Sequence, residues 1–372
     1  MLLFALTFLG VYTAMHALVF WGFHPLLKGH PALPTLTWIW MGLMILSPVL
    51  VRLLDRNGWE TAARGLAWIG YSWMGLLFLA FAVFALLGCW EIVVFIARKL
   101  VPSLPSLSLH GAVSALIVLF GVLGTVFYGF QEASDIRVEK VRLTSAKLPS
   151  DFGVLKIVQV SDLHLGLIHR EETLAPIISR IRELKPDLVV ATGDIVDAQI
   201  DHLKELSILW QNLNPPLGKF AVTGNHEYYA GLKQALDFLQ KSGFEVLRNR
   251  AQAVDQYFVV AGVDDPARGN RVDEVAVLNP IEKGRYVIFL KHRPRLNEKA
   301  AGLFDLQLSG HAHRGQIFPF NFLTGLEYPM QNGLYPLPGG SYLYASRGTG
   351  TWGPPIRVGS PPEITLFEIV PQ

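Results

Sequence analysis

Five short clusters of carboxylate, amide and imidazole side chains occur in the second part of the chain, and their residue types suit metal-ion chemistry. They are Asp162-x-His164, Gly193-Asp194-x-x-Asp197, Gly224-Asn225-His226-Glu227, His292 and Gly310-His311-x-His313. Imidazole and carboxylate ligands together favour Zn, Mn or Fe over Ca or Mg. Two such ions held close together activate water and stabilise charge during displacement at phosphorus. The clusters therefore predict a site for two divalent metal ions that hydrolyses a phosphate ester or a pyrophosphate.

The spacing within two of the clusters adds to this prediction. Asp162 and His164 stand at positions i and i+2, as do His311 and His313. On extended backbone such side chains point to the same side, so both members of a pair can reach one ion. A single Asp-x-His or His-x-His is more often an ordinary loop. The prediction therefore depends on the ordered set of five clusters.

This ordered set resembles the calcineurin-like metallophosphoesterase family, whose motifs read Asp-x-His, Gly-Asp-x-x-Asp, Gly-Asn-His-(Asp/Glu), His and Gly-His-x-His. All five occur in order across residues 162–313. The segments 310–316 and 346–357 are similar to a membrane-associated bacterial branch of the family. The resemblance implies that one metal is bound by Asp162, His164 and His313, the other by Asn225, His292 and His311, and that Asp194 bridges them. It also implies that His226 protonates the leaving oxygen or steadies the phosphoryl group.

Several charged residues beside the clusters have more than one interpretation. Asp197 is expected to orient a neighbouring side chain, but an ordinary loop carboxylate is an equally good interpretation for Asp197 and for Glu227. Two interpretations are open for each of four arginines: it contacts substrate phosphate, or it extends into solvent. The four are Arg293, Arg314, Arg347 and Arg357.

The predicted secondary structure places the clusters at the ends of strands. Short apolar runs typical of buried strands occupy residues 154–160, 187–192, 219–222, 257–263, 286–290 and 306–308. Helical periodicity covers residues 174–184, 202–213 and 232–241. Strands that alternate with helices predict α/β layering. In α/β sheets, ligand sites collect at the carboxyl ends of the strands, and each cluster follows a predicted strand directly.

The first 130 residues differ sharply in composition from the rest. They carry six Lys or Arg and three Asp or Glu, whereas the 372-residue chain has 32 and 30. Apolar segments at residues 2–23, 36–54, 65–96 and 108–130 are long enough to cross a bilayer, which requires about 20 residues. The first segment lacks the basic N-terminal region of a signal peptide, and three more apolar segments follow it, so we interpret it as a retained helix. An integral, multi-pass membrane protein is therefore predicted.

The distribution of Lys and Arg predicts the orientation of these segments. Seven such residues flank the spans on one side and three on the other; the larger group is Arg52, Arg56, Arg64, Arg137, Lys140, Arg142 and Lys147. We therefore expect both termini and the catalytic domain on the cytoplasmic side of the inner membrane. His16 and Glu91 are the few polar groups in or near the spans, which favours an anchor over a transporter. The nearly neutral remainder carries no basic footprint, so no nucleic-acid partner is expected.

The expected architecture has three parts. Residues 1–130 form an N-terminal bundle of four transmembrane helices, residues 131–150 form a linker with the first strand, and residues 151–372 form a layered α/β metallophosphoesterase domain with central β-sheets flanked by helices. The predicted function is that of a membrane-anchored phosphoesterase that acts on a phosphorylated small molecule or lipid. A phosphodiesterase is one such enzyme. The alternative is a membrane sensor or scaffold that binds metal without turnover, for which a missing ligand would be the signature.

An apolar run follows the last cluster and consists of Phe318, Phe320, Phe322 and Leu323. We interpret this run as part of the hydrophobic core. Contact with an acyl chain is the alternative.

Overall fold

The computed structural model describes residues 2–197, 203, 205–269 and 272–372, which divide into two compact units. One unit comprises the residues up to Gln131 together with Gly353–Ile356. The other comprises Glu132–Trp352 and Arg357–Gln372.

Four long helices account for most of the first unit. They are α1 (Leu2–Leu27), α2 (Ala32–Arg56), α3 (Glu60–Leu100) and α4 (Ala112–Ser134). All four are long and apolar enough to cross a membrane. The prediction of four long apolar helices is therefore confirmed, and each extends beyond the predicted apolar segment at one end or both.

His16 and Glu91, the polar side chains singled out in the helical unit, form local hydrogen bonds. The Trp73 Nε1–H donates to His16 Nε2 at 3.0 Å, and His16 Nδ1 lies 2.8 Å from the carbonyl oxygen of Tyr12. Glu91 accepts the backbone N–H groups of Leu109 and His110 at 2.7 and 2.9 Å. These contacts tie helices and connections together, as an anchor requires.

Twelve strands and six helices are described in the second unit. The strands are β1 (Arg137–Ser145), β2 (Leu155–Val160), β3 (Leu188–Ala191), β4 (Lys219–Ala221), β5 (Glu245–Val246), β6 (Arg250–Ala253), β7 (Phe258–Gly262), β8 (Tyr286–Leu290), β9 (Leu306–Ser309), β10 (Gly333–Pro336), β11 (Tyr342–Ala345) and β12 (Glu363–Pro371). The helices are α5 (Glu171–Leu184), α6 (Leu206–Gln211), α7 (Asn225–Ala230), α8 (Leu232–Lys241), α9 (Glu274–Leu278) and α10 (Phe320–Glu327).

These strands form two six-stranded mixed sheets. The first has the order β1-β12-β2-β3-β4-β5 and is antiparallel between β12 and β2. The second has the order β10-β11-β9-β8-β7-β6, in which β11, β9, β8 and β7 are parallel and both edge strands are antiparallel to their neighbours. In each sheet the strands that precede the clusters are parallel neighbours, so their carboxyl ends lie at one edge.

Alternating side chains explain how the layers pack. Ile157 on β2 and Val190 on β3 share one buried cluster with Phe258 on β7 and Ile288 on β8, so the two sheets pack face to face. The intervening residues of the first sheet, such as Val158, point the other way and pack against α5, α6 and α8. Successive strand residues face opposite sides of a sheet, which produces these layers. The predicted layered α/β fold is confirmed.

The six strands predicted from apolar runs all occur, with each end within one residue of its predicted position. The helix predicted at 202–213 is shorter, at Leu206–Gln211, and its first predicted residue, His202, lies outside the described residues. Sequence analysis missed the short edge strands β5, β6 and β10, and also β11 and β12. Short edge strands bury little apolar surface, so their sequences show no clear alternation of apolar and polar residues.

The interpretation of the apolar run after the last cluster as core is wrong. Phe318, Phe320, Phe322 and Leu323 are all exposed, and α10 contains no buried residue. Helix α10 lies on the surface of the second unit, so its apolar composition is not explained by burial within the protein.

Candidate metal centre

The five clusters follow five parallel strands, and the structure brings them together. Asp162 and His164 follow β2, Asp194 follows β3, and Asn225 and His226 follow β4. From the second sheet, His292 follows β8, while His311 and His313 follow β9. Because the two sheets pack face to face, the ends of both sets of strands meet at one edge.

The first group of side chains that could hold an ion consists of Asp162, His164 and His313, whose donor atoms all lie within 4.8 Å of one another. His164 Nε2 is 3.2 Å from His313 Nε2, and the latter is 3.4 Å from Asp162 Oδ1. Ligand atoms about 2 Å from a zinc ion stand about 3 Å apart, so this spacing suits a shared cation.

The second group consists of Asp194, His292 and His311. His292 Nε2 lies 3.1 Å from Asp194 Oδ2 and 3.1 Å from His311 Nδ1. On its other side the His292 Nδ1–H donates to the Thr192 carbonyl at 2.8 Å. A carbonyl only accepts, so this bond fixes a proton on Nδ1 and turns Nε2 towards the group.

Asp194 and Asn225 complete the arrangement. Asp194 also belongs to a group with His164 and His226, so its carboxylate lies between the two sets of ligands. The Oδ1 of Asn225 is buried and has no hydrogen-bond partner among the described residues. Leaving a buried polar atom unpaired costs about 1–3 kcal/mol, and a bound cation removes that cost. The residues present therefore fit a site for two divalent ions.

The charges of the site also favour cations. Burial opposes ionisation of Asp162 and Asp194, but the facing imidazoles of His313 and His292 outweigh it and hold the pKa of both carboxyls below its usual range. Burial, together with the nearby charge of His226, lowers the pKa of His164 to about 3. The site thus combines buried anions with a neutral imidazole, which is the form that binds metal.

The backbone around the ligands adopts a sparsely populated conformation. Positive φ angles between 47° and 69° occur at Asp162, His164, Asp194, His311 and His313. Such conformations cost of order 1–3 kcal/mol each for residues other than glycine and cluster at functional sites. Two backbone hydrogen bonds hold the loops after β2 and β3 side by side, from Asp162 N to Gly193 O and from His164 N to Asp194 O, both at 3.0 Å.

Gly193 stands where a side chain has no room. Its φ is 92°, and a Cβ added there would lie 2.6 Å from His292 Nδ1 and 2.6 Å from Gly224 N. The conformation and the close approach both require glycine. The glycine of this cluster therefore lets the loops after β3, β4 and β8 converge.

His226 is held by two carboxylates. Its Nδ1–H donates to Asp197 Oδ1 at 2.8 Å, and its backbone N–H donates to Asp194 Oδ1 at 2.8 Å. Burial alone would lower the pKa of His226, but Asp194 and Asp197 outweigh it and raise that pKa to about 9. The His226 imidazole is therefore protonated on both ring nitrogens, and positively charged, at neutral pH. This contact supports the interpretation of Asp197 as a residue that orients its neighbour.

The structure also decides between the two interpretations of Glu227. Its fully buried carboxylate accepts the backbone N–H groups of Gly224, Asp194 and Ile195 at 2.6, 2.9 and 2.8 Å. It also accepts that of Val196 at 3.3 Å. Glu227 therefore joins the loop after β3 to the loop after β4 and is not an ordinary loop carboxylate.

Three of the four arginines are committed to protein contacts. Arg293 forms two hydrogen bonds with Asp265, at 2.7 and 2.9 Å, and Arg347 pairs with Glu363 at 2.9 Å. The buried Arg357 donates to the Ser360 carbonyl at 2.9 Å and lies 3.3 Å from His313 Nδ1. Arg314 differs because it is exposed, directly beside His313.

Two aromatic residues near His226 were missed by sequence analysis. The rings of Tyr229 and Trp352 lie 5.2 and 5.6 Å from the His226 ring, centroid to centroid, and both are exposed. Tyr229 could have been found, because it stands three residues after His226 on α7 and such pairs share a helix face. Trp352 is far away in the chain, and no local spacing links it to His226.

Comparison with known proteins yields the following matches. Residues 155–315 match the family described as calcineurin-like phosphoesterase. The chain is 44% identical over 248 residues to an Aquifex aeolicus protein described as an uncharacterized metallophosphoesterase, covering 65% of this chain and 95% of that protein. It is 32% identical over 328 residues to a Danio rerio transmembrane protein with metallophosphoesterase domain, covering 82% and 74%. Among solved structures, the Haemophilus influenzae NAD nucleotidase aligns with a TM-score of 0.36 at 18% identity, covering 52% and 45%.

Proposed function

The chain belongs to the calcineurin-like phosphoesterase family, and from this premise we propose that it is a membrane-anchored phosphoesterase that uses two divalent metal ions. The observation that carries the proposal is the convergence of seven candidate metal-binding side chains from five strand ends. The buried Asn225 oxygen, which has no hydrogen-bond partner among the described residues, adds to it. We propose Zn, Mn or Fe as the metals because the donors are imidazoles, carboxylates and one amide. The bond hydrolysed is a phosphoester or a pyrophosphate.

Each side chain has a proposed role. One ion is bound by Asp162, His164 and His313, the other by Asn225, His292 and His311, with Asp194 shared between them. When bound, such a pair of ions activates water and neutralises charge on phosphoryl oxygens. His226 donates its proton to the leaving oxygen, and Asp197 holds the imidazole in the orientation that this transfer needs.

The helical region supports a membrane-surface location for the reaction. We propose that residues 1–130 anchor the chain as a multi-pass protein of the inner membrane, that residues 131–150 link it to the catalytic domain at 151–372, and that this domain is cytoplasmic. Seven Lys or Arg residues flank the spans on the proposed cytoplasmic side and three on the other. Protease digestion of inside-out vesicles should cleave the catalytic domain, while digestion of intact spheroplasts should leave it whole.

Turnover can be tested with the full chain in detergent. We expect hydrolysis of bis(p-nitrophenyl) phosphate with added Mn, and loss of this activity after chelation. Asp194→Asn should reduce this activity more than the loss of a residue that only hydrogen-bonds to a metal ligand does. That smaller change reduces activity by about 10–100-fold. Asp237→Asn changes an exposed carboxylate on α8, 3.8 Å from Lys241, and serves as the matched control.

The alternative function is a sensor or scaffold that binds metal without turnover. Every side chain of the family's ligand set is present, whereas a missing ligand would favour this alternative. If the wild-type chain binds two equivalents of metal yet hydrolyses no ester with Mn, Zn or Fe, the phosphoesterase proposal is wrong and the sensor is favoured.

A further inference from the structure

Large apolar side chains are exposed together around α10. Phe318, Phe320, Phe322, Leu323 and Leu326 form this group, here called the α10 patch, and Phe322 and Leu326 are 66% and 82% exposed. Elsewhere in the described part of the α/β unit, exposed large apolar residues are fewer: Tyr229 and Trp352 border His226, and others, such as Ile208 on α6, are far from them in sequence. Single exposed apolar residues are normal, whereas a contiguous group marks a contact surface.

Helix α10 is seated against the metal centre at both of its ends. Gly315, two residues after His313, has a φ of 76°, and a Cβ there would collide with the backbone of Asn321 in the first turn of α10. At the other end, the Tyr328 ring contacts the His311 ring, with centroids 5.0 Å apart. The patch therefore borders the two histidines that the last cluster contributes.

A cation lies at the same edge. Arg314 is exposed, stands between His313 and Gly315, and has a positive φ of 48°, so the tight turn presents it beside the metal centre. Its position follows a candidate ligand and precedes the α10 patch by four residues. An exposed arginine four residues before a group of exposed phenylalanine and leucine side chains suits a surface with an anionic, phosphate-bearing layer above an apolar layer.

The chain itself supplies the reason to expect a bilayer as the occupant. Four helices long and apolar enough to cross a membrane belong to the same polypeptide, so the α/β unit works close to lipid. Apolar side chains together with a neighbouring cation are the composition of elements that lie in the interface of a membrane. We propose that the α10 patch is a lipid-binding surface that brings a phosphate ester carried by a membrane lipid to the metal centre. This deepens the proposed function, on which the substrate class rests.

Lipid contact can be measured without any assay of hydrolysis. The full chain, with Cys89→Ser to remove its single cysteine, carries an environment-sensitive fluorophore on Phe322→Cys or Leu326→Cys. It is placed, one copy per disc, in nanodiscs of phosphatidylethanolamine and phosphatidylglycerol with doxyl-labelled lipid. Ile208→Cys, at a 54% exposed apolar position on α6, is the matched control. We expect strong quenching by doxyl lipid at 322 and 326 and little at 208.

Equal quenching at all three positions, or none at 322 and 326, would overturn the proposal. A blue-shifted emission at 322 without quenching by doxyl lipid would also overturn it, because a protein surface, and not lipid, would then cover the patch.

A pair of substrates tests the consequence for catalysis. Methyl p-nitrophenyl phosphate and hexadecyl p-nitrophenyl phosphate have the same scissile bond and differ in chain length. The wild-type chain should prefer the hexadecyl ester in kcat/KM by about tenfold or more, since each buried methylene favours binding. The double variant F322S/L326S should lose this preference through KM, while Ile208→Ser should keep it. An unchanged preference in the double variant contradicts the proposal. If the wild-type chain cleaves neither ester, the proposed hydrolase function is wrong, and the quenching result still decides whether the patch contacts lipid.

Discussion

The Nδ1–H of His226 donates to Oδ1 of Asp197 over 2.8 Å, in a contact that joins the loop after β3 to the start of α7. The same imidazole packs edge-on against His164, with ring centroids 4.6 Å apart. A protonated side chain is thus held next to a candidate metal ligand. This relationship leads directly to the first prediction.

Replacing Asp197 by asparagine should slow catalysis while the metal centre stays intact. The neutral amide can still accept from Nδ1–H, but it lacks the negative charge that stabilises the protonated imidazole. Loss of such an outer partner costs about 10–100-fold in activity, and we expect the loss in kcat. Steady-state kinetics combined with metal analysis by mass spectrometry tests this, with Asp237→Asn as the control. A variant with normal kcat would exclude a role for the Asp197–His226 pair.

Asn225→Ala should remove one of two bound metal ions. The Asn225 oxygen is a buried acceptor for which the described residues offer no hydrogen-bond donor, and alanine deletes it. We expect metal content to fall from two equivalents to about one after dialysis, because the group around Asp162 keeps all its ligands. Asn279→Ala, at an exposed position after α9, should keep both ions. Two tightly bound ions in Asn225→Ala would argue against its role as a ligand.

Glu227→Ala should destabilise the protein strongly. Four backbone N–H groups lose their shared acceptor inside the core, and each buried unpaired group costs about 1–3 kcal/mol. The apparent melting temperature of the full chain in detergent should fall by several degrees. Glu245→Ala breaks an exposed pair with Arg250 at 2.8 Å and should have little effect, since surface pairs contribute about 1 kcal/mol or less. Equal stability of the two variants would show that the Glu227 contacts are unimportant.

His169 should make the protein sensitive to acid. Burial lowers the pKa of His169 to about 4, and its Nε2 lies 2.9 Å from Thr351 Oγ1. The unfolded chain, with a pKa of about 6.5 for this group, takes up a proton that the folded chain refuses, so stability falls as the pH drops from 6.5 towards 4. Between pH 6.5 and pH 5 this costs about 2 kcal/mol.

The matched comparison for this prediction is His169→Gln against His30→Gln, which changes an exposed histidine. Melting temperatures at pH 7 and pH 5 should differ less in His169→Gln than in wild type, and by the wild-type amount in His30→Gln. An unchanged pH dependence in His169→Gln would mean that other groups cause the acid sensitivity.

Much of the site was predictable because its information is local. The clusters around Asp162, Asp194 and His226 each follow an apolar run, and a strand end projects the next side chains into a loop. Apolar length likewise predicted the four membrane helices. The roles of Asp197 and Glu227 could not be predicted from the sequence, because a carboxylate in a loop gives no sign of which hydrogen-bond donors will surround it.

The sequence by itself determined the order of the ligands, the strands that carry them and the apolar anchor, since each depends on a few adjacent residues. Only the tertiary structure decided that His292 and His311 of the second sheet meet Asp194 of the first, because face-to-face packing of the sheets brings together residues about a hundred positions apart. It also decided that Phe322 and its neighbours on α10 are exposed. An apolar run has the same composition whether protein or lipid covers it, so its surroundings, and not its residues, determine what it does.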